Sequence, residues 1–170
     1  MDAYLAVASK REVRRYADRP IPPEVERRIL EAGRVSGSSR NKQPWRFVVL
    51  EQRETVERAA EAVWAADNVL GAALAIAVVV RGKGPVSFDC GRAAQNMMLA
   101  AWNDGVGSCP NGISDAAAMG EALGLREDDH FAVVLTFGYP AGDIDPERRT
   151  PEEWIARADR KPLDEVVERR

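Results

Sequence analysis

The chain has 170 residues, with 24 Lys and Arg against 27 Asp and Glu, so its formal net charge is −3. Hydrophobic residues make up 45% and charged residues 30%, which is ordinary for a globular protein and excludes a mainly disordered or collagen-like chain. The near-neutral charge argues against nucleic-acid and polybasic membrane partners. The length predicts one domain over residues 1–170, in which residues 151–170 form a C-terminal arm.

Cysteine and histidine usage excludes several classes of site. Cys90 and Cys109 lie 19 positions apart and His130 is the only histidine, so neither a metal site of the zinc type nor a histidine-based triad is expected. Met1–Tyr4 do not begin a secretory signal, and the apolar run Val69–Val80 is shorter than the roughly 20 residues that cross a bilayer. We therefore expect a cytoplasmic protein with reduced thiols.

The first half of the chain alternates helices with polar loops. Pro23 fits the first turn of a helix over Glu24–Val35, in which Val25 and Ile29 share one side. The other predictions for this half are a helix over Asp2–Lys10, a basic loop over Arg11–Arg15, a polar loop over Ser36–Pro44, a strand over Phe47–Leu50 and a helix over Thr55–Ala66.

The second half contains the most apolar segments. Ala73–Val80 is a continuous apolar run typical of a strand buried on both faces, and Asp89–Trp102 predicts a helix that is apolar almost all round. Further predictions are a glycine-rich loop over Gly105–Gly112, a helix over Asp115–Leu123 capped by Ser114, a strand over Phe131–Phe137, and a capping box at Thr150–Glu153. Strands separated by helices favour an α/β or α+β sandwich.

Four segments could bind a ligand. The cations of Lys10–Arg15 repel one another and favour a bound anion, whereas Ser38–Gln43 offers hydroxyls and amides to a polar heterocycle. Gly105–Gly112 allows close approach of the backbone to a ligand, and Arg160 and Lys161 add charge near the C-terminus. Each segment also has an interpretation without a ligand. Lys10–Arg15 could be a solvated basic turn, and Ser38–Gln43 could be a loop that caps helices. Gly105–Gly112 could be a simple turn, and Arg160 and Lys161 could belong to a solvated tail.

The remaining candidates favour structural roles. We expect His130 at the surface, and Cys90 and Trp45 in the core. Cys109 follows the glycine-rich segment and could lie near a ligand, although nothing nearby in sequence lowers its pKa. Glycosidase chemistry is not indicated, because the sequence shows no pair of carboxylates in an apolar setting.

Taken together and in chain order, these segments resemble the nitroreductase family of FMN-dependent oxidoreductases over roughly residues 3–167. A family motif of the form R-R-S-x-R is matched by Lys10–Arg14, and the loop P-S-x-x-N-x-Q-P-W is matched by Gly37–Trp45. The helix pattern D-x-x-x-A-x-Q-N-x-x-L-A-A is matched by Asp89–Ala101. Three shorter motifs also match, namely Gly105–Cys109, Gly138–Pro140 and Arg160–Leu163.

The resemblance implies a fold of the α+β class, an α/β/α sandwich with a central, mainly antiparallel sheet. It implies a homodimer that binds FMN at the subunit interface, with the helix Asp89–Trp102 in the dimer core. It further implies that hydride passes from NAD(P)H through the flavin N5 to a nitroaromatic, quinone or similar acceptor by a ping-pong mechanism, without a catalytic side chain.

The resemblance also implies which residues contact the cofactor. The phosphate and ribityl chain would be surrounded by Lys10, Arg11, Glu12, Arg14 and Arg160. The flavin would be reached from the other subunit by Gly37, Ser38, Ser39 and Asn41. Asn68 would lie at the pyrimidine edge of the flavin, and the flavin ring would face the backbone of Pro110, Asn111 and Gly112.

Three features of the sequence depart from the family pattern. Glu12 stands where the family usually has serine, Ala158 stands at a frequent lysine, and the stretch between Val80 and Phe88 lacks the extra helices that cover the flavin in many relatives. These departures leave three alternatives open. They are a flavin carrier or redox sensor without broad reductase activity, a specialised relative that uses another flavin or a deazaflavin, and a scaffold with a degenerate site.

Overall fold

A computed structural model describes the backbone of residues 1–170 and the side chains of residues 1–130 and 133–170. The chain forms two compact units, a terminal unit of residues 1–10 and 145–170 and a larger unit of residues 11–144. The larger unit contains one antiparallel sheet with the strand order β1-β2-β4-β3. Its strands are β1 (Trp45–Val49), β2 (Leu74–Arg81), β3 (Gly107–Asn111) and β4 (Asp129–Gly138).

The described chain contains eight α-helices. They are α1 (Ala3–Ser9), α2 (Pro23–Arg34), α3 (Arg53–Glu61), α4 (Ala66–Leu70), α5 (Val86–Asn103), α6 (Ala116–Leu123), α7 (Pro151–Ala156) and α8 (Leu163–Val166). Of these, α2–α6 belong to the larger unit and α1, α7 and α8 belong to the terminal unit. Short 3-10 turns occupy Ser39–Asn41 and Pro146–Arg148. No helix that the structure describes combines the length and the apolar character needed to cross a membrane.

Strand β2 separates two hydrophobic cores, because successive side chains of a strand point to opposite faces of the sheet. Ile76 and Val78 belong to a core with residues of α2 and α5. Ala75, Ala77 and Val79 belong to a second core with residues of α3, α4 and α6. Leu74–Val80 is buried throughout, so the predicted strand without a solvent face is confirmed, as is the α+β sandwich.

Two sequence predictions for the larger unit are wrong. The helix expected over Thr55–Ala66 is interrupted after Glu61, because Val63 pairs with Ile113 and the Trp64 N–H donates to the Gly112 carbonyl at 3.1 Å. The predicted loop over Gly105–Gly112 is mostly strand β3, because its backbone pairs with β4.

One of the two predicted helix caps is confirmed, and the other lies one residue further along the chain. Asp115, rather than the predicted Ser114, caps α6, and its Oδ1 accepts from the N–H groups of Ala117 and Ala118. In the terminal unit the predicted capping box of α7 is present, with reciprocal bonds between Thr150 and Glu153. These caps satisfy amide groups that have no partner inside their own helix.

Cys90 and His130 have the surroundings that the sequence predicts. Cys90 is 3% exposed in the core under α5, and burial raises the pKa of its thiol to about 11. Its thiol therefore stays protonated at neutral pH and lacks the thiolate character of a reactive cysteine. His130 is exposed near the start of β4.

A buried carboxylate joins three strands of the sheet. Asp129 on β4 accepts from Arg46 on β1 at 2.6 Å and from Arg81 on β2 at 2.8 and 3.0 Å. Its side chain is only 3% exposed. Burial opposes ionisation, but the N–H of Arg126 and the two guanidinium groups outweigh it and lower the pKa of Asp129 to about 2.

We expect Asp129→Asn to destabilise the protein at neutral pH, because Arg46 and Arg81 lose their shared carboxylate. The folded-state pKa lies below the unfolded value of about 4, so the stabilisation is complete above about pH 4 and is lost as the pH falls toward 2. Urea unfolding at about pH 7, 5 and 3 should show a difference in midpoint that narrows only in acid. A difference that grows on acidification would contradict this assignment.

Candidate functional site

The basic loop that follows α1 lies against strand β3. The N–H of Val13 donates to the Ser108 carbonyl at 3.0 Å, and Glu12 forms a parallel bridge with Ser108. Val13 is 7% exposed, whereas Glu12 and Arg14 are exposed and Arg11 is half-buried. The alternation turns the apolar side chain inward and presents charged side chains to solvent on a fixed backbone.

Gly107 makes this close approach possible. A Cβ at Gly107 would lie 2.6 Å from Cγ2 of Val13, which is well inside the normal carbon–carbon contact distance. The glycine-rich motif therefore serves packing between the basic loop and β3, rather than supplying a flexible loop.

A second loop, residues 36–43, is held in a strained conformation. Arg40, Asn41 and Gln43 have φ values of 52°, 55° and 49°, in the left-handed region that residues other than glycine seldom occupy. The side-chain oxygen of Ser38 accepts from the Gln43 N–H at 2.8 Å, and Asp89 of α5 accepts from the Ser39 N–H at 3.1 Å. Such strain persists where surrounding contacts enforce it, and it is concentrated at binding sites.

Helix α5 supports this loop through two charged side chains. Asp89 is 3% exposed, and it anchors the loop at Ser39. The guanidinium of Arg92 lies over Gly37, since a Cβ there would be 2.5 Å from Nη2. Both contacts were missed by sequence reasoning, although a carboxylate on an otherwise apolar helix face is a visible signal for Asp89.

A buried polar cluster lies beneath β3. Asn111 is 3% exposed, and its Nδ2 contacts the carbonyl oxygens of Cys109 and Val134 and the hydroxyl of Thr136 at 3.0–3.2 Å. Its Oδ1 accepts from Nδ2 of Asn68 at 3.0 Å. The Asn111 side chain thus fixes the strand from inside and does not point outward.

Tyr16 extends this cluster, and sequence reasoning did not identify it. Its hydroxyl lies 3.0 Å from the hydroxyl of Thr136. The pKa of this phenol is raised to about 12, chiefly by burial, and the nearby carboxylate of Glu12 contributes in the same direction. Tyr16 therefore stays neutral and fixes the end of the basic loop.

The outer side of this strand end is open. Pro110 and Gly112 are exposed, on either side of buried Asn111. Trp64 is 78% exposed, and its Cδ1 would lie 3.3 Å from a Cβ at Gly112. Exposed backbone beside an exposed indole offers a flat, partly apolar surface to a planar ligand.

Strand β3 also contains an unsatisfied polar group. The hydroxyl of Ser108 is buried and has no hydrogen-bond partner in the described part of the chain. Leaving such a group unpaired costs about 1–3 kcal/mol, so buried polar groups in native proteins are seldom left without a partner.

The predicted site residues fall into both units. Arg11, Glu12, Arg14, Gly37, Ser38, Ser39, Asn41, Asn68, Pro110, Asn111 and Gly112 belong to the larger unit, and Lys10 and Arg160 belong to the terminal unit. The structure joins Asn68 to Asn111 and the loop at Glu12 to Ser108. Nη1 of Arg160 donates to the Ala158 carbonyl at 2.7 Å. Within the described residues, no group of His, Cys, Asp and Glu could hold a metal ion.

Comparison with known proteins agrees over nearly the whole chain. The model of the nitroreductase family matches residues 7–83 and 86–139. Two relatives, each named “Putative NADH dehydrogenase/NAD(P)H nitroreductase”, come from Archaeoglobus fulgidus and Methanothermobacter thermautotrophicus, and each is 31% identical. The alignments cover 87% of this chain and 96% of the first relative, and 91% of this chain and 88% of the second.

A solved structure extends the likeness to three dimensions. It is described as a “putative nitroreductase in complex with FMN” from Desulfovibrio desulfuricans, and it superposes with a TM-score of 0.85 at 28% identity. The superposition covers 100% of this chain and 98% of that chain.

We expect Gly107→Ala to destabilise the protein by about 1–3 kcal/mol, the cost of forcing a methyl group into a packed contact. Val13 cannot withdraw without losing its bond to Ser108. Gly91→Ala is the matched control, because nothing lies within 4 Å of a Cβ there and alanine is favoured inside a helix by roughly 0.5–1 kcal/mol. Equal unfolding midpoints for the two variants would contradict the role assigned to Gly107.

Proposed function

The chain belongs to the nitroreductase family, and we propose that it is an FMN-dependent oxidoreductase that uses NAD(P)H to reduce a nitroaromatic, quinone or similar acceptor. The observation that carries this proposal is the packing of the basic loop against β3, whose far end exposes backbone beside Trp64. A phosphate site and a surface for a planar ring thereby lie on one rigid strand.

The residues present fit FMN. Exposed Arg14 and half-buried Arg11 are cations suited to a phosphate dianion. The strained loop offers the hydroxyls of Ser38 and Ser39 and the amide of Asn41 to the polar edge of a flavin.

We assign the roles as follows. Within the larger unit, Arg11 and Arg14 hold the phosphate, and Glu12 lies beside them. The backbone of Pro110–Gly112 supports the ring, and Asn68 lies at its pyrimidine edge, fixed through Asn111. When bound, FMN supplies two-electron chemistry, in which hydride from NAD(P)H is accepted at N5 and passed to the second substrate in a separate half-reaction. The protein binds and orients, and no side chain acts as a catalyst.

We further propose a homodimer with the cofactor at its interface. The loop of Gly37, Ser38, Ser39 and Asn41 then serves the flavin of the partner subunit. The outer side of α5 supports this arrangement, because Phe88 is 68% exposed and Arg92 lies 5.8 Å from its ring. An exposed aromatic side chain on a long helix is typical of an interface.

The first test is the absorbance spectrum of the purified protein before and after anaerobic addition of NADPH or NADH. We expect flavin bands near about 450 nm that bleach on addition of the nucleotide, because bound FMN takes up the hydride. Flavin bands that do not bleach would favour a carrier or redox sensor. No flavin after reconstitution with excess FMN would refute the proposal, and deazaflavin would be tested next.

Arg14→Gln should weaken FMN binding by about tenfold or more, because a charge-assisted hydrogen bond contributes roughly 1.5–3 kcal/mol. Fluorescence titration of the apoprotein with FMN measures the dissociation constant. Arg27→Gln is the matched control, since it removes an equally exposed cation from α2. Equal affinities for the two variants would argue against a phosphate site at the basic loop.

Glu12→Ser should tighten FMN binding, because a carboxylate beside a phosphate repels it. The same titration measures the effect, and the gain should shrink as salt is added, since exposed charges are screened. Weaker binding in this variant would show that Glu12 serves to orient the cations rather than to oppose the phosphate.

A further inference from the structure

A cationic cavity lies at the start of strand β1, away from the basic loop. It has a volume of about 320 Å³, and four cationic side chains line it, namely Lys42, Arg46, Arg81 and Arg126. Asp129 is the only acidic residue in its lining. The cavity therefore holds three positive charges in excess, on a chain whose net charge is −3.

The single carboxylate cannot neutralise further cations. Oδ1 of Asp129 accepts two bonds from Arg81, and Oδ2 accepts from Arg46 and from the N–H of Arg126. All four of its acceptor positions are thus used. The carboxyl group of Asp129 is ionised at neutral pH, since its pKa is about 2.

Two cations remain available to a ligand. The side chains of Lys42 and Arg126 are exposed and make no hydrogen bond or ion pair in the described part of the chain. Arg46 and Arg81 keep 39% and 46% of their side chains exposed while bonded to Asp129. An arginine held from one side by a carboxylate presents its remaining N–H groups in a fixed orientation, as phosphate recognition requires.

Two less polar residues also border the cavity. Pro44 and Trp45 border the same cavity, and the Trp45 ring stacks on Phe47 with a centroid separation of 6.5 Å. Because successive side chains of a strand point to opposite faces of the sheet, the Trp45 ring packs against the core of α2 and α5, on the face opposite Arg46. The four cationic side chains therefore define the site, and a phosphate group is the ligand that they match.

The cavity adjoins the loop assigned to the flavin. A second cavity of about 260 Å³ shares Lys42, Pro44 and Arg81 with the first and reaches Ser39 and Asp89. Gly82, Lys83 and Pro85 of the turn after β2 also line this second cavity, and Gly82 and Gly84 in that turn have φ values of 98° and 109°. A nucleotide bound in the first cavity would therefore lie beside the loop that contains Ser39.

From this geometry we propose that the cavity lined by Lys42, Arg46, Arg81 and Arg126 binds the 2′-phosphate end of NADPH and makes the enzyme prefer NADPH to NADH. The inference rests on the proposed function, since it names the reductant for the same flavin. Arg126 and Lys42 contact the phosphate, and Asp129 fixes Arg46 and Arg81.

Direct binding tests the site without relying on turnover. Calorimetric titration of the purified protein with adenosine 2′,5′-bisphosphate and with AMP compares ligands that differ by the 2′-phosphate alone. We expect the bisphosphate to bind at least tenfold more tightly, with a difference that decreases as salt rises. Arg126→Gln should remove most of that difference, Arg126→Lys should retain part of it because it keeps the charge, and the exposed control Arg53→Gln should leave it intact.

Kinetics provide the second measurement. The ratio of kcat/KM for NADPH to that for NADH should exceed about ten in the wild type, and Arg126→Gln should reduce it about tenfold. Equal binding of AMP and the bisphosphate, or a ratio that Arg126→Gln does not change, would overturn the inference. A protein that binds FMN and oxidises both nucleotides equally would overturn only this inference, whereas absence of FMN and of nucleotide oxidation would overturn the proposed function as well.

Discussion

Burial of strand β2 on both faces is the constraint on which the rest of the larger unit depends. Leu74–Val80 has no exposed position, so one helical layer must cover each face, and the apolar sides of α2 and α5 and of α3, α4 and α6 meet that need. Because β1 and β4 must pair with β2 on its two sides, β3 is placed at the edge next to β4. That edge is where the basic loop can attach, and the candidate site follows from this placement.

Sequence patterns predicted the elements whose signal is local. The apolar run of β2, the long helix α5 and the capping box at Thr150 each depend on neighbouring residues alone. β3 was mistaken for a loop because Gly107 and Gly112 are typical of turns, and its pairing with β4 depends on residues 23 to 31 positions away. The break between α3 and α4 was missed for the same reason, since Trp64 bonds to Gly112 across the fold.

The sequence predicted which residues belong to the candidate site, but it did not predict the structural role of each residue. Motif order identified Asn68 and Asn111, but only the structure shows that Asn111 directs its amide into the sheet and that Asn68 is held by it. Likewise the loop at Ser39 was identified as polar, whereas its strain and its attachment to Asp89 depend on tertiary contacts. A strained loop anchored by a buried carboxylate is already ordered before a ligand arrives, which reduces the entropy lost on binding.

The abundance of arginine explains how a chain of net charge −3 can bind anions. Its overall charge does not attract phosphate groups over long distances, and salt screens exposed charges beyond about 8–10 Å. Attraction must therefore be local, and it must come from groups whose geometry matches an oxyanion. The sequence contains 20 arginines against 4 lysines, and the guanidinium fork recognises phosphate bidentately where an ammonium group cannot. The ion pairs with Asp129 neutralise part of the charge of Arg46 and Arg81 and fix the orientation of both guanidinium groups. Selectivity among anions then depends on where these groups point rather than on the net charge of the protein.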